Sequence, residues 1–429
     1  MSGSTGAGLR TYEVYQRQRV GESTAKVQPR SLISAAFCRD PYPILSVLRE
    51  NYPCYRDWIG NSFWITRYDD VTSVFMDDAN FETRPNSWFY GIDPPGRDLR
   101  DHPEVLAMRA GRTDSLLDEV VVRVVGSFAS RGRADLARDF AARVPIELLV
   151  AVLGLPGAEM VPFAHRYFLM KRGRGADPRA RDVGLRAMRE LANDIDVRLS
   201  ERRREPTDDL LSTFANLDLA DGPVTAGDVV TTLLEDDHET LHGALGSLWF
   251  HVLADPQRLA AVDGDRRMTR LAYLETLRLS APVLSAKRFA RHEVERFGRL
   301  LPQGALVVCS AAAANRDPRA FDDPEAFVIG RADLCQREPR GTYRADGLPT
   351  GIAFGLGRPS VHPAVPEDRP RSAYAITRDV AMRSSQLLLE ACRGLRLAPG
   401  AQPELRSLRL GEMHTVWRLP VEFSARERR

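Results

Sequence analysis

Residues 224–254 read VTAGDVVTTLLEDDHETLHGALGSLWFHVLA. Apolar residues return at helical spacing along this stretch, which predicts one long helix. At about 1.5 Å per residue it would run about 46 Å, enough to cross a domain. The other helical patterns are shorter. They cover 40–51 behind an Asp-Pro start signal, 133–154, 266–280 and 375–392. Strand-like runs are few: NSFWITRY at 61–68 and ALVVCSAAA at 305–313. There is no repeat and no low-complexity linker. The pattern predicts a mainly α fold with a long central helix and small β-sheets. It is organised as a polar arm over 1–37 and a single domain over 38–429.

Composition narrows the function classes. With 43% hydrophobic residues the 429-residue chain can bury a large core, and a net charge of +2 gives no electrostatic case for nucleic acid or an anionic membrane. No run approaches a membrane span, and the N-terminus lacks the apolar stretch of a signal peptide, so a cytoplasmic location is expected. Five scattered cysteines show no metal-ligand spacing, which fits a reducing compartment. Lysine occurs only at Lys26, Lys171 and Lys287, which reads as coding bias toward arginine.

Several motifs stand in one order. Glu275-Thr-Leu-Arg278 puts two charges three residues apart on one helix face. Inside an apolar helix they must be paired, so a structural lock is expected. AANRDPRAFDDPEAF follows at 313–327, and then Arg331. The central helix carries His238-Glu239-Thr240, and Phe354-Gly355-Leu356-Gly357 comes near the end. In this order, over nearly the whole chain from Cys38, the sequence resembles a bacterial cytochrome P-450. The resemblance implies that family's fold. It places Arg331 against the Glu275–Arg278 pair, Arg109 and Arg288 at the haem propionates, and Glu239-Thr240 as the acid-alcohol pair.

The same resemblance exposes departures. The family loop reads Phe-Gly-x-Gly-x-His-x-Cys-x-Gly. Aligned on Phe354, Pro359 takes the histidine position, Val361 the cysteine position and Pro363 the last glycine, and Val105 stands where the first propionate motif has histidine. Valine cannot ligate iron, and a thiolate is what drives O–O cleavage in this family. Asp236-Asp237 replaces the family's Ala-Gly. Two carboxylates over a haem face would collide with it or lie buried without partners. The expectation is therefore a member without haem or any other cofactor. Haem held without thiolate through His362 is the alternative.

The cavity so vacated is expected to serve acid/base chemistry on a small natural-product intermediate. Asp236, Asp237, Glu239 and Thr240 would form the catalytic set, their carboxyl pKa values raised by burial. Arg109 and Arg288 would orient an anionic or carbonyl-bearing substrate. Trp88, Phe89 and Tyr90 would line the pocket or fill the core, and Val361 and His362 would lie at its rim. A second reading comes from family relatives without the cysteine, which activate antibiotic sugar transferases by binding them; it implies a glycosyltransferase partner. HETLH at 238–242 also matches the His-Glu-x-x-His zinc motif. On an unbroken helix, however, His238 and His242 face away from Asp236 and Thr240, so no metal is expected.

Overall fold

The computed structural model describes residues 27–28, 30–92, 95–174, 177–236, 238–334, 373–408 and 413–425. They fall into two compact units. The first is drawn from Met1–Arg84, Leu274–Ala364 and Leu405–Thr415, the second from Pro85–Tyr273, Val365–Glu404 and Val416–Arg429. The architecture is mainly helical with small sheets, as the sequence predicts.

The first unit is built on a five-stranded sheet, in the order Tyr55–Asp57, Ser62–Ile65, Leu306–Cys309, Ala286–Ala290, Phe81–Glu82. Ser62–Ile65 runs parallel to Leu306–Cys309, and the other pairs are antiparallel. All four residues of Ser62–Ile65 are buried, which accounts for a strand with little polar alternation. The strand-like run at 305–313 is only half strand. After Cys309, the hydroxyl of Ser310 accepts from Ala313 N at 3.3 Å and opens the short helix Ala311–Ala314. Phe63, Ile65, Tyr68, Phe75, Phe81, Val307 and Phe321 form the core beside the sheet.

The helix Arg266–Leu279 delivers Glu275 and Arg278 to this unit, and the expected lock is present. Both side chains are fully buried, with Arg278 Nη2 to Glu275 Oε1 at 2.7 Å and Nε to Oε2 at 2.8 Å. Arg331 Nε donates to both Glu275 oxygens at 3.1 Å. Arg278 also donates to the carbonyls of Asn315, Pro324 and Ala326, so every charge in the cluster is satisfied.

In the second unit, the helix Pro103–Ala129 packs against Arg143–Leu153 and against Ala373–Ala391. Pro178–Arg204 packs against Met160–Arg172. The single helix expected over 133–154 is not formed. Arg133–Asp135 pairs as a strand with Pro420–Glu422, Ala137–Ala141 follows as a π-turn, and only Arg143–Leu153 is α-helical. Asp135 holds the junction. Its Oδ1 accepts from Ala137 N at 3.1 Å and from Leu419 N at 2.9 Å, a partner far away in sequence.

The long central helix is also corrected: it is two helices, Ala226–Glu235 and His238–Leu253. Asp236 between them is extended, at φ −65° and ψ 148°. The first half starts in a capping box between Thr225 and Asp228. Its end is closed by three side chains. Lys171 Nζ donates to Leu234 O at 2.8 Å and also to Asp236 O; Arg100 Nη1 reaches Glu235 O at 2.7 Å; Asn86 Nδ2 reaches Leu234 O at 3.3 Å. Cations at a helix C-terminus satisfy orphan carbonyls and oppose the dipole. Periodicity does not register such a stop, because the partners come from other elements.

Candidate functional site

The break in the central helix opens onto a cavity of about 60 Å³ in the second unit. That is room for a few water molecules or the head of a larger ligand. Its polar end is Arg109, Thr113, Asp236 and His238, and its walls include Leu148, Val152, Leu241 and Val380.

Arg109 Nη2 lies 2.6 Å from Asp236 Oδ1. Burial by itself would raise the Asp236 carboxyl, but the charges of Arg109 and Lys171 outweigh it and hold the group down at about 2. Asp236 is thus an ionised, paired carboxylate. It is neither the partnerless group nor the raised-pKa acid that the sequence suggests. At neutral pH it is a weak base.

His238 is the member that periodicity assigns to the wrong side. The wheel argument assumes an unbroken helix; with the break at Asp236, His238 lines the same cavity as Asp236. Its Nδ1 is 2.8 Å from Tyr167 Oη, while Nε2 is buried with no hydrogen-bond partner among the described residues. Burial, then the nearby Lys171 charge, pushes its pKa well below the usual histidine value, so the ring is neutral. Tyr167 is fully buried and stacks on Phe163 with ring centroids 5.7 Å apart, which fixes the hydroxyl that orients His238.

The remaining expected residues scatter. Glu239 is ion-paired with Arg174 at 2.9 Å. The Thr240 hydroxyl is buried without a partner among the described residues, and Thr240 is not among those lining this cavity. Arg288 belongs to the first unit, where its guanidinium stacks on Phe75 at 4.8 Å and donates to Lys287 O at 3.0 Å. The aromatic trio divides. Trp88 is exposed, Phe89 half-buried, and Tyr90 buried with its hydroxyl on Met170 O, so none of the three lines the cavity. Asp237, Val361 and His362 lie outside the described residues. His242, burial-depressed to about 4, forms no metal cluster with His238; no group of three possible ligands occurs among the described residues. No helix among them is long and apolar enough to cross a membrane.

Sequence reasoning missed Lys171, Tyr167 and His238. Lys171 did leave a signal: one of three lysines in a chain of arginines, it sits inside the apolar-aromatic stretch RYFLMKR. A compact ammonium can serve two carbonyls in a space that a planar guanidinium does not fit.

Comparison with known proteins places these features in a lineage. The family model described as Cytochrome P450 matches residues 265–337, which contain the Glu275–Arg278–Arg331 cluster. Cytochrome P450-SOY of Streptomyces griseus is 30% identical over 340 residues, covering 78% of this chain and 75% of the relative. Pulcherriminic acid synthase of Bacillus subtilis (strain 168) is 26% identical over 358 residues, covering 76% and 84%. Among solved structures, the Bacillus subtilis 168 bacillaene polyketide synthase cytochrome P450 PksS superposes with a TM-score of 0.71 at 20% identity, over 93% of this chain and 100% of that one.

These matches correct the expectation that no cofactor is used. The matched family is a haem family, and haem is the group that the match implies. The stretch expected to carry its axial ligand lies outside the described residues. Haem bears two carboxylates, and Arg109, partly exposed on the cavity, is the described residue of the second unit that would hold one. The Asp236 pairing opposes that contact. By its similarity to Cytochrome P450-SOY and by the matched family model, the chain belongs to the cytochrome P450 family.

Proposed function

We propose that this protein handles a small organic molecule in natural-product metabolism, binding its oxygen-bearing head in the cavity beside Asp236. The relatives' names support the setting, since they include a pulcherriminic acid synthase and a polyketide-synthase cytochrome. The observation that carries the reading is the cavity itself. His238, whose Nε2 is buried without a partner among the described residues, and Arg109, whose guanidinium is partly exposed, both line it beside apolar walls.

The chain's own residues bind and orient. Neutral His238 exchanges one hydrogen bond with the head group through Nε2, with Tyr167 fixing the ring. The apolar walls exclude water from the substrate body. When haem is bound it supplies the family's oxygen-activating chemistry. Asp236 is given no proton-transfer role, because its ion pair keeps it charged.

Thermal-shift screening of pathway intermediates tests the reading. A true ligand raises the unfolding temperature, because it binds the folded state alone. The shift should vanish in His238→Ala and shrink in Arg109→Ala. If no intermediate stabilises the wild type, or if His238→Ala retains the full shift, the reading fails.

A second reading is the helper that binds a pathway glycosyltransferase. It is favoured by the sequence at 359–363, where Val361 aligns with the family's cysteine. The reduced, carbon monoxide-treated haem protein separates the two: a thiolate-type band supports oxygenation as in the relatives. A histidine-type band together with co-purification of the glycosyltransferase supports the helper.

A further inference from the structure

Arg109 presents an incompletely used guanidinium. Its contact with Asp236 is made by Nη2 alone, and neither Nε nor Nη1 has an acceptor among the described residues. Its side chain is 29% exposed while that of Asp236 is 8% exposed, so the arginine faces the open side and the aspartate lies behind it. An arginine fork matches a carboxylate through two parallel N–H groups, and one such group is unspent here.

Asp236 is also placed where it can yield. It belongs to neither helix, being the extended residue between Glu235 and His238. A second cation stands beside it, since Lys171 Nζ donates to its backbone carbonyl. A carboxylate leaving Arg109 therefore stays near positive charge. This lowers the cost of parting from the guanidinium, which would be severe for an isolated buried charge.

We infer that Asp236 is a built-in competitor for a carboxylate-binding site at Arg109, so that an acidic ligand enters the cavity by displacing the Asp236 carboxylate from the guanidinium. The ligand class is an organic carboxylate, whether a porphyrin propionate or a free acid. The inference rests on the reading that the cavity receives a ligand, and it adds the group recognised and the internal rival for it.

The test uses the full-length protein without added haem and three probes: protoporphyrin IX, its dimethyl ester and 4-phenylbutyrate. Binding is read by fluorescence quenching for the porphyrins and by thermal shift for the acid. In Asp236→Asn the rival charge is gone and the shape is kept. Protoporphyrin IX should then bind at least roughly tenfold tighter than to wild type, in the range of close charge pairs. The ester, with no carboxylate, should be unchanged. A gain confined to protoporphyrin IX identifies the porphyrin as the source, and a gain shared with 4-phenylbutyrate identifies a general acid site; both support the inference. Equal affinity of wild type and Asp236→Asn for the acids overturns it while leaving the cavity reading intact. Failure of acid and ester alike to bind either protein sinks both. Should Asp236→Asn not fold by circular dichroism, Arg109→Gln decides the matter. It must abolish the preference for acid over ester, and a preference that survives it refutes the inference.

Discussion

The ammonium of Lys171 lies 2.8 Å from the carbonyl oxygen of Leu234, at the end of the first half of the central helix. Lys171 is fully buried, and the same group also reaches Asp236 O. It thus holds the break that turns Asp236 and His238 toward one cavity. Removing it takes a charged donor from two carbonyls and leaves Leu234 O the longer bond from Asn86 at 3.3 Å, at about 1–3 kcal/mol in all. Lys171→Met should lower the unfolding free energy in urea by about 1–3 kcal/mol and weaken any ligand that depends on His238. Unchanged stability would show that Arg100 and Asn86 suffice to cap the helix.

The Glu275 cluster should be far less tolerant. One carboxylate there serves two buried arginines, Arg278 and Arg331, and also accepts from Val328 N at 3.0 Å. Glu275→Gln leaves the buried Arg278 without a carboxylate, while Arg331 keeps Asp333 at 3.0 Å, so a loss of about 3–5 kcal/mol is expected. Equilibrium denaturation measures it. A loss below 1 kcal/mol would mean that the carbonyl partners of Arg278 already neutralise the site.

Gly173 and Gly184 make room for Tyr90. A methyl group on Gly184 would run into the Tyr90 hydroxyl, which is itself hydrogen-bonded to Met170 O. Gly184→Ala should destabilise by about 1–3 kcal/mol through overpacking. Tyr90→Phe removes the clashing atom, so the double variant should be more stable than the sum of the singles predicts, by about 1 kcal/mol. Strict additivity would show that the helices separate instead.

Stability should fall in mild acid. Burial, then the nearby Arg316 charge, depresses His414 to about 4 from the ordinary 6.5. Below 6.5 the unfolded chain takes up this proton and the folded chain does not until about 4. The contribution is therefore intact above pH 6.5 and is lost as pH falls to 4, at about 1.4 kcal/mol per pH unit. The ring packs edge-on to Tyr42 at 5.8 Å, so His414→Phe keeps the contact and should flatten the slope. An unchanged slope would assign the acid sensitivity to His238 and His242, which are depressed in the same direction.

The local and the paired are what a sequence writes down. Helical spacing located Tyr42–Asn51, Arg266–Leu279 and Ala373–Ala391 to within a few residues, since each buries one face and the period of that face is visible. The Glu275–Arg278 lock was equally legible, because two charges one turn apart in an apolar helix require each other. The tertiary structure alone decided the rest. Whether residues 224–254 form one helix or two depends on cations from residues 100 and 171 reaching carbonyls at 234–236. The charge state of Asp236 depends on Arg109, 127 residues away. An unbroken wheel put His238 opposite Asp236, and the break put them side by side. Spacing along the chain fixes direction only while a helix continues, and what stops this one is a set of polar partners that no window of local sequence contains.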